Sequence, residues 1–332
     1  VAALAGVSQA TVSAAMSGNR AVAAETKQRI ESAMQELGYQ PNAGARTLRT
    51  SRTNVIALMV ELSSQGDAIE TVPYIESIIE RAREREYDVV VVMANEGPAG
   101  LRRLIGRSIC DAAILMDIHR DDARVPTAAS LDTPTVLIGR PDDPHGLDAV
   151  DFDGRRAAEL LVDELADTGH ESALAIGEPP AGFSVIRSTT EFHEGLVRRA
   201  RERGLQLEVL IPHSNRWGDV SALAAALESR RGERLGLIAR TPWATEAWVR
   251  LLMQQDMRVG EDASLVALCG DDYARSFDVP VTNVSPVPRE VTGRAMHVLF
   301  ERLAGRGGAP VVDLVTPGTL NRRASTRRFD RA

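Results

Sequence analysis

With 332 residues, 44% hydrophobic and 26% charged, the chain has the composition of a water-soluble globular protein, long enough for two or three domains, which excludes wholesale disorder. No apolar run approaches the ~20 residues of a membrane helix, no secretory signal opens the sequence, and Cys110 and Cys269 lie far apart with no metal spacing, as for free thiols in a reducing cytoplasm. The net charge of −7 argues against a protein that coats nucleic acid along its length, but residues 1–53 carry six basic and three acidic side chains, a balance of +3 that leaves −10 for the rest.

In chain order, residues 1–39 predict short helices. Ser8 is placed to cap a helix from Gln9 to about Ser17, since its hydroxyl can accept an orphan backbone N–H. Gly18-Asn19 breaks the chain, and a further helix runs from about Ala24 to Leu37, with Ile30, Ala33, Met34 and Leu37 on one face and Gly38 as its left-handed C-terminal cap. Residues 40–53, QPNAGARTLRTSRT, form a polar, basic linker after Pro41. Its stretch 42–49 is long enough for one or two helical turns, which are unstable in water without a partner.

From Asn54 onward, apolar runs alternate with amphipathic helices. Strands are expected at 55–60, 89–93, 112–116, 135–139, 173–177, 235–239 and 264–268. Helices are expected at 73–86, 155–167, 191–203, 220–228, 244–255 and 289–303. Short, wholly apolar runs separated by helices mean parallel strands covered on both faces. About five strands precede Asp151 and a similar set follows, which predicts an α/β protein of two doubly wound subdomains with a cleft between them, ligands binding beyond the carboxyl ends of the strands.

The stretch VAALAGVSQATVSAAMSG has the layout of a helix-turn-helix: Gly6 makes the turn, Val7 packs inward, and Val12 and Met16 face a core. Gln9, Ala10, Ser13 and Ser17 then project outward. Small side chains let a backbone approach DNA closely, Gln reads adenine edges, and Ser or Thr hydroxyls hold phosphates. By spacing alone, an ordinary helical hairpin fits as well.

Together, VAALAGVSQATVS, ELGYQPNAGARTLRTSRTNVIALMV, IGRPDDP, LADTGHESALAI and VTNVSPVPREVTGRAMHVLFERL resemble the LacI/GalR family of bacterial transcription regulators, in the family's order over nearly the whole chain. The resemblance implies a helix-turn-helix headpiece at 1–39, a hinge helix at 40–53, and a periplasmic-binding-protein-like core at 54–332. The core's N-subdomain would span about 54–150 plus 283–312, its C-subdomain about 151–282 plus 313–332. It implies no cofactor, and as partners a pseudo-palindromic double-stranded DNA operator, a small-molecule effector (a sugar, nucleoside or related metabolite) and a second copy of the chain. The tail RRASTRRFDRA lacks the leucine heptads that tie dimers into tetramers, so a homodimer is expected. The expected DNA contacts are Ser8, Gln9, Ala10, Thr11, Ser13, Ser17, Asn19, Arg20, Asn42, Arg46 and Leu48. In the family two hinge helices meet in the minor groove, where a leucine opens a central base step; Leu48 matches that wedge and Ala45 the hinge–hinge contact.

Several positions depart from the family. The family pattern begins upstream of Val1, so either the chain extends further or the headpiece is weakened. Ala14 stands where an arginine is usual, and Ala23 replaces a Ser cap, a loss of about 1 kcal/mol. In the effector region Ser188 replaces a common arginine, though Arg187 is adjacent; Arg240 and Thr241 replace an Asn-Asp pair; and Cys269 stands at a usual Asp, with Asp271 nearby. The expected effector contacts are Asp151, Arg187, Ser188, Arg240, Trp243 and Asp271. Arg240 suits an effector carboxylate or phosphate, or else a surface ion pair; Trp243 suits ring stacking or packing; Asp151 suits the cleft or a helix cap. Asp142-Asp143 and Asp271-Asp272 read as solvated turns. The six histidines show no metal spacing, and neither a Gly-rich phosphate loop nor a nucleophile elbow occurs, so no enzyme is expected. The two open readings are an effector-controlled repressor and a ligand sensor whose headpiece no longer binds specific DNA.

Overall fold

The structure, a computed structural model, describes residues 1–17, 22–39, 52–62, 68–179, 185–214 and 216–329, with the side chains of Met16 and Ser17 outside that description. It divides into two compact units, Val1–Thr53 and Asn54–Ala332. Among the described residues, the elements of the first are all helices: α1 (Ala2–Ala5), α2 (Gln9–Ser17) and α3 (Ala24–Glu36). Gly6 ends α1 at φ 64, a left-handed backbone that glycine adopts without steric cost. Ser8 caps α2, its hydroxyl accepting from the Thr11 N–H at 3.1 Å. At the end of α3 the N–H groups of Gly38 and Tyr39 donate to the carbonyls of Gln35 and Met34, a Schellman closure with Gly38 at φ 55. Ala23 offers α3 no side-chain cap. Ala5, Val12, Ile30 and Ala33 make a small core, with Val1, Val7, Ala15 and Met34 packed against it.

In the second unit two sheets of six strands appear among the described residues. The first contains β1 (Val55–Val60), β2 (Asp88–Met93), β3 (Ala112–Leu115), β4 (Thr135–Ile138), β5 (Asp148–Phe152) and, late in the chain, β11 (Val312–Val315), in the order β11-β5-β4-β3-β1-β2 and wholly parallel. The second holds β6 (Ser172–Ile176), β7 (Gln206–Leu210), β8 (Leu235–Ala239), β9 (Ser264–Leu268), β10 (Thr282–Val284) and β12 (Leu320–Asn321), in the order β12-β10-β9-β8-β6-β7, with only β12 antiparallel.

All seven expected strands are present. Those the sequence reading lacked are edge strands or polar ones: β5 (DAVDF), β7 (QLEVL), β10 (TNV), β11 (VDLV) and β12. The helix expected at 220–228 is instead two short ones, α9 (Trp217–Ser221) and α10 (Ala224–Ser229). The other helices of the unit are α4 (Ala68–Arg83), α5 (Gly97–Gly106), α6 (Arg124–Ala129), α7 (Gly154–Asp167), α8 (Arg187–Arg203), α11 (Pro242–Gln254), α12 (Asp271–Arg275) and α13 (Pro288–Leu303). The chain crosses between sheets after Phe152, after Val284 and after Val315; because β11 belongs entire to the first sheet, the last crossing comes three residues later than the expected boundary at 313.

Each sheet is buried on both faces, by separate apolar clusters. In the second sheet Trp248 of α11 is fully buried against Leu237 and Leu265, and its indole N–H donates to the Ile238 carbonyl at 3.0 Å. Trp248→Ala should destabilise this unit by about 3–5 kcal/mol, read from the urea midpoint and slope followed by circular dichroism. A loss below about 1 kcal/mol would show that the indole does not anchor the layer.

Candidate functional sites

Two regions gather the expected residues. In the first unit, Ser8, Gln9 and Ala10 are exposed at the start of α2, while Thr11, Ser13 and Ala14 are half-buried along it. The Ser8 and Thr11 hydroxyls bond to each other at 2.8 Å, which sets their orientation as part of the cap. Arg29 donates to the Ala5 carbonyl at 2.8 Å and so closes the C-terminal end of α1. It acts as a structural cation, and the +3 balance of this region overstates the charge offered outward. Asn19, Arg20, Asn42, Ala45, Arg46 and Leu48 lie outside the described residues, as does the Ser17 side chain.

The second region lies at the carboxyl ends of the two sheets, where a doubly wound fold exposes polar groups. One side is built by loops after β3, β4 and β5, the other by loops after β6, β8 and β9. Three connections tie the sides together. The Arg120 N–H donates to the Val185 carbonyl at 2.7 Å, next to an antiparallel bridge between His119 and Ile186. Arg187, first residue of α8, donates to Asp142 at 2.5 Å and to the Arg140 carbonyl at 3.4 Å; Arg120 also donates to Asp142, at 3.0 Å. Arg140 reaches Asp151 at 3.2 Å on its own side and Glu191 of α8 at 2.5 Å on the other. Asp142 therefore pairs with two arginines, where a solvated turn was expected.

Asp151 is buried, with its second oxygen accepting from the Phe152 N–H at 2.8 Å. Burial pushes its carboxyl up to about 6, against the opposing pull of the Phe152 N–H and Arg140. The helix-cap role belongs to Asp153, which accepts from the Arg156 N–H at 2.9 Å. Nearby, Tyr74 of α4 donates to the Pro286 carbonyl at 3.3 Å, and Asp117 accepts from the Glu61 N–H at 2.8 Å.

Across the cleft, Arg240 bonds to Glu178, which also bonds to His193 of α8. This is a half-buried ion pair, not the surface pair considered from sequence. Burial acts to raise the Glu178 carboxyl, but Arg240 and His193 outweigh it and hold it at about 2. Asp271 accepts from Asn283, Asn321 and Arg323 at 3.0, 2.8 and 2.9 Å through one oxygen. Cys269 is buried, and burial, then the Glu70 and Asp271 charges, push its thiol up to about 12, so it remains neutral. Trp243 is half-buried against the second sheet's core, and Thr241 caps α11 through the Ala244 N–H at 3.1 Å. The Ser188 carbonyl stands where α7 and α8 cross at Gly154, so close that a Cβ on Gly154 would meet it at 2.4 Å.

Of the expected effector contacts, Asp151 and Arg187 share one connected cluster, while Arg240 and Asp271 belong to separate ones. Arg140, Glu178, Glu191, His193 and Tyr74 were missed. The signal for Glu178 and Arg140 was position: both fall just past an apolar strand, where cleft residues of this fold class emerge. An open groove of about 830 Å³ also runs along the outer face of α13, lined by Arg289, Arg294, His297 and Arg302, away from these strand ends.

Residues 1–42 match the pattern of the lacI family of bacterial regulatory proteins, and residues 162–326 that of the periplasmic binding protein-like domain. The HTH-type transcriptional regulator CelR of Thermobifida fusca is 29% identical over 323 residues, covering 94% of this chain and 93% of that protein. The chain is similar to lacI-family regulators along nearly its whole length. Among solved structures, the lac repressor dimer bound to operator and the anti-inducer ONPF matches with a TM-score of 0.80 at 19% identity, over 98% of this chain and 97% of that one. The CelR–cellobiose complex matches at 0.70 and 24% identity, over 98% of each. Like those regulators, the chain combines a helix-turn-helix headpiece with a periplasmic-binding-protein-like core, and its curated relatives are transcriptional regulators. No helix among the described residues is long and apolar enough to cross a membrane.

A carboxyl raised above its unfolded value favours the fold while protonated; that contribution is full below about 3.8 and is lost as pH climbs through about 6. Asp151→Asn, which cannot ionise, should therefore gain stability relative to the natural chain between pH 4 and 7, by about 2–3 kcal/mol. Urea midpoints across that range test it, and a flat difference would remove the strain assigned to the ionised Asp151.

Proposed function

We propose that this chain is an effector-controlled transcriptional repressor that works in the cytoplasm as a homodimer on a pseudo-palindromic operator, and has no catalytic role. The observation that carries this reading is the first turn of α2. Ser8, Gln9 and Ala10 are exposed and uncharged at the N-terminus of a nine-residue helix fixed by the Gly6 turn and the Val12 core contact. A backbone so presented approaches phosphate and base edges closely, with Gln9 as the principal base reader. The headpiece is assigned to 1–39, the hinge to 40–53 and the effector core to 54–332. Ser8, Thr11, Ser13, Ser17, Asn19, Arg20, Asn42 and Arg46 are assigned to the DNA backbone and groove, and Leu48 to the minor-groove wedge. Asp151, Arg187, Ser188, Arg240, Trp243 and Asp271 are assigned to the effector side. CelR, solved with cellobiose, supports a cleft that takes a small metabolite, and the lac repressor, solved on its operator, supports the DNA role.

The hinge is the coupling element. A stretch this short is helical only when a partner orders it, so DNA and the second copy stabilise it together, and an effector that shifts the two subdomains changes the spacing of the hinges. Leu48→Ala should weaken specific operator binding roughly 10- to 100-fold by removing the wedge, with effector affinity unchanged. Fluorescence anisotropy on an operator selected from genomic fragments measures this, and equal operator affinity would remove the wedge. With the unaltered chain, log affinity should fall linearly with log salt concentration, as displaced counterions require. A salt-insensitive complex, or a selection that returns no specific fragment, would favour the ligand sensor with a silent headpiece, the reading to which Ala14 and the uncapped Ala23 point.

A further inference from the structure

The cleft contains a cation that is already occupied. Arg240 follows β8 directly, Glu178 lies two residues beyond the neighbouring β6, and His193 approaches from α8. Glu178 accepts from Arg240 through one oxygen and from His193 through the other, and the three side chains are only 20%, 15% and 7% exposed for Arg240, Glu178 and His193. The pattern repeats around the strand ends: Arg140 meets Asp151 and Glu191, Arg187 meets Asp142, and Arg323 meets Asp271. From sequence, Arg240 invited an acidic effector. In place, its charge is matched from within.

Separating a half-buried ion pair to admit an anion leaves the internal carboxylate without its counter-charge, and the anion gains little from a guanidinium already neutralised. A hydroxyl incurs no such penalty, because it can donate to a carboxylate edge while the pair stays together. We propose that Glu178 is a specificity residue: by holding Arg240, it makes the cleft select an uncharged, hydroxyl-bearing effector and reject the anionic counterpart. The proposal rests on the reading of these strand ends as the effector site and adds the chemical class of that effector.

Isothermal titration of the full chain tests it, with glucose, cellobiose and maltotriose as neutral probes, gluconate, glucuronate and cellobionate as acidic ones, and glucosamine as a cation. The natural chain should bind at least one neutral probe, and bind it at least tenfold more tightly than its acid. Glu178→Gln removes the carboxylate that neutralises Arg240 and should shift that ratio at least tenfold toward the acid, and adding Arg240→Gln should abolish the shift. An acidic probe bound as tightly as its neutral partner by the natural chain, no response to any neutral probe, or an unchanged ratio in Glu178→Gln overturns the proposal. If circular dichroism shows Glu178→Gln unfolded, Arg240→Gln alone decides: it leaves Glu178 without its guanidinium and should improve glucosamine binding at least tenfold, and no improvement overturns the proposal. Operator binding is measured in parallel. A chain that discriminates the probes as expected but binds no operator fails as a repressor and leaves the Glu178 assignment standing; a repressor whose variants do not discriminate has the opposite outcome.

Discussion

Burial of both faces of two parallel sheets is the constraint on which the rest of this molecule depends. Once helices cover each face, the strands have no room for polar groups except at their ends. Parallel pairing puts the carboxyl ends of each sheet's strands on one side, and the Arg120–Val185 and Arg140–Glu191 bonds join the two sets of ends. Asp117, Arg140, Asp151, Glu178, Arg240 and Asp271 all occupy such ends, although they are spread over more than 150 positions of sequence. Charges gathered in a poorly solvated place must neutralise one another or titrate. Most do the former. Asp151 is driven partway toward the latter, because a single shared guanidinium does not offset its burial.

The same constraint decides what was legible in the sequence. β1 and β8 are fully apolar runs, and β9 is apolar after Ser264; all three declared themselves, as did α7 and α13 by their helical spacing. β5 and β10 contain Asp or Thr and Asn inside the sheet, where several polar groups are satisfied by residues distant in the chain; Asp148, for one, is clamped by Arg302. β7 and β11 lie at sheet edges, exposed on one side, so their patterns look like loops. Within the cleft the positions were readable and the partners were not. Glu178 and Arg240 stand 62 residues apart, and no periodicity connects them. From sequence, Arg240 stayed open between an effector anion and a surface ion pair, because its counter-ion arrives through the fold.

The headpiece shows a related limit. Its basic balance suggested a surface that attracts phosphate, yet Arg29 is committed to the end of α1 and Lys27 pairs with Glu31 at 3.9 Å. What α2 presents is a close, uncharged backbone. A surface of that kind suits close approach and base reading better than long-range attraction of phosphate. The cap at Ser8, the turn at Gly6 and the closure at Gly38 were all readable because each depends on residues within a few positions.

The links between the two sides of the cleft carry the argument into regulation. Arg140 holds Asp151 on one side and Glu191 on the other, and Arg187 crosses from α8 to Asp142. Any rotation of one subdomain against the other must lengthen these bonds. The exposed Arg187–Asp142 contact is worth little, as solvated pairs are, whereas the Arg140 bridge is largely withdrawn from water and is costly to leave half made. A relative movement of the subdomains that parts Arg140 from Glu191 would therefore have to break a pair shielded from water. A ligand acts on that balance only through contacts that differ between the two states.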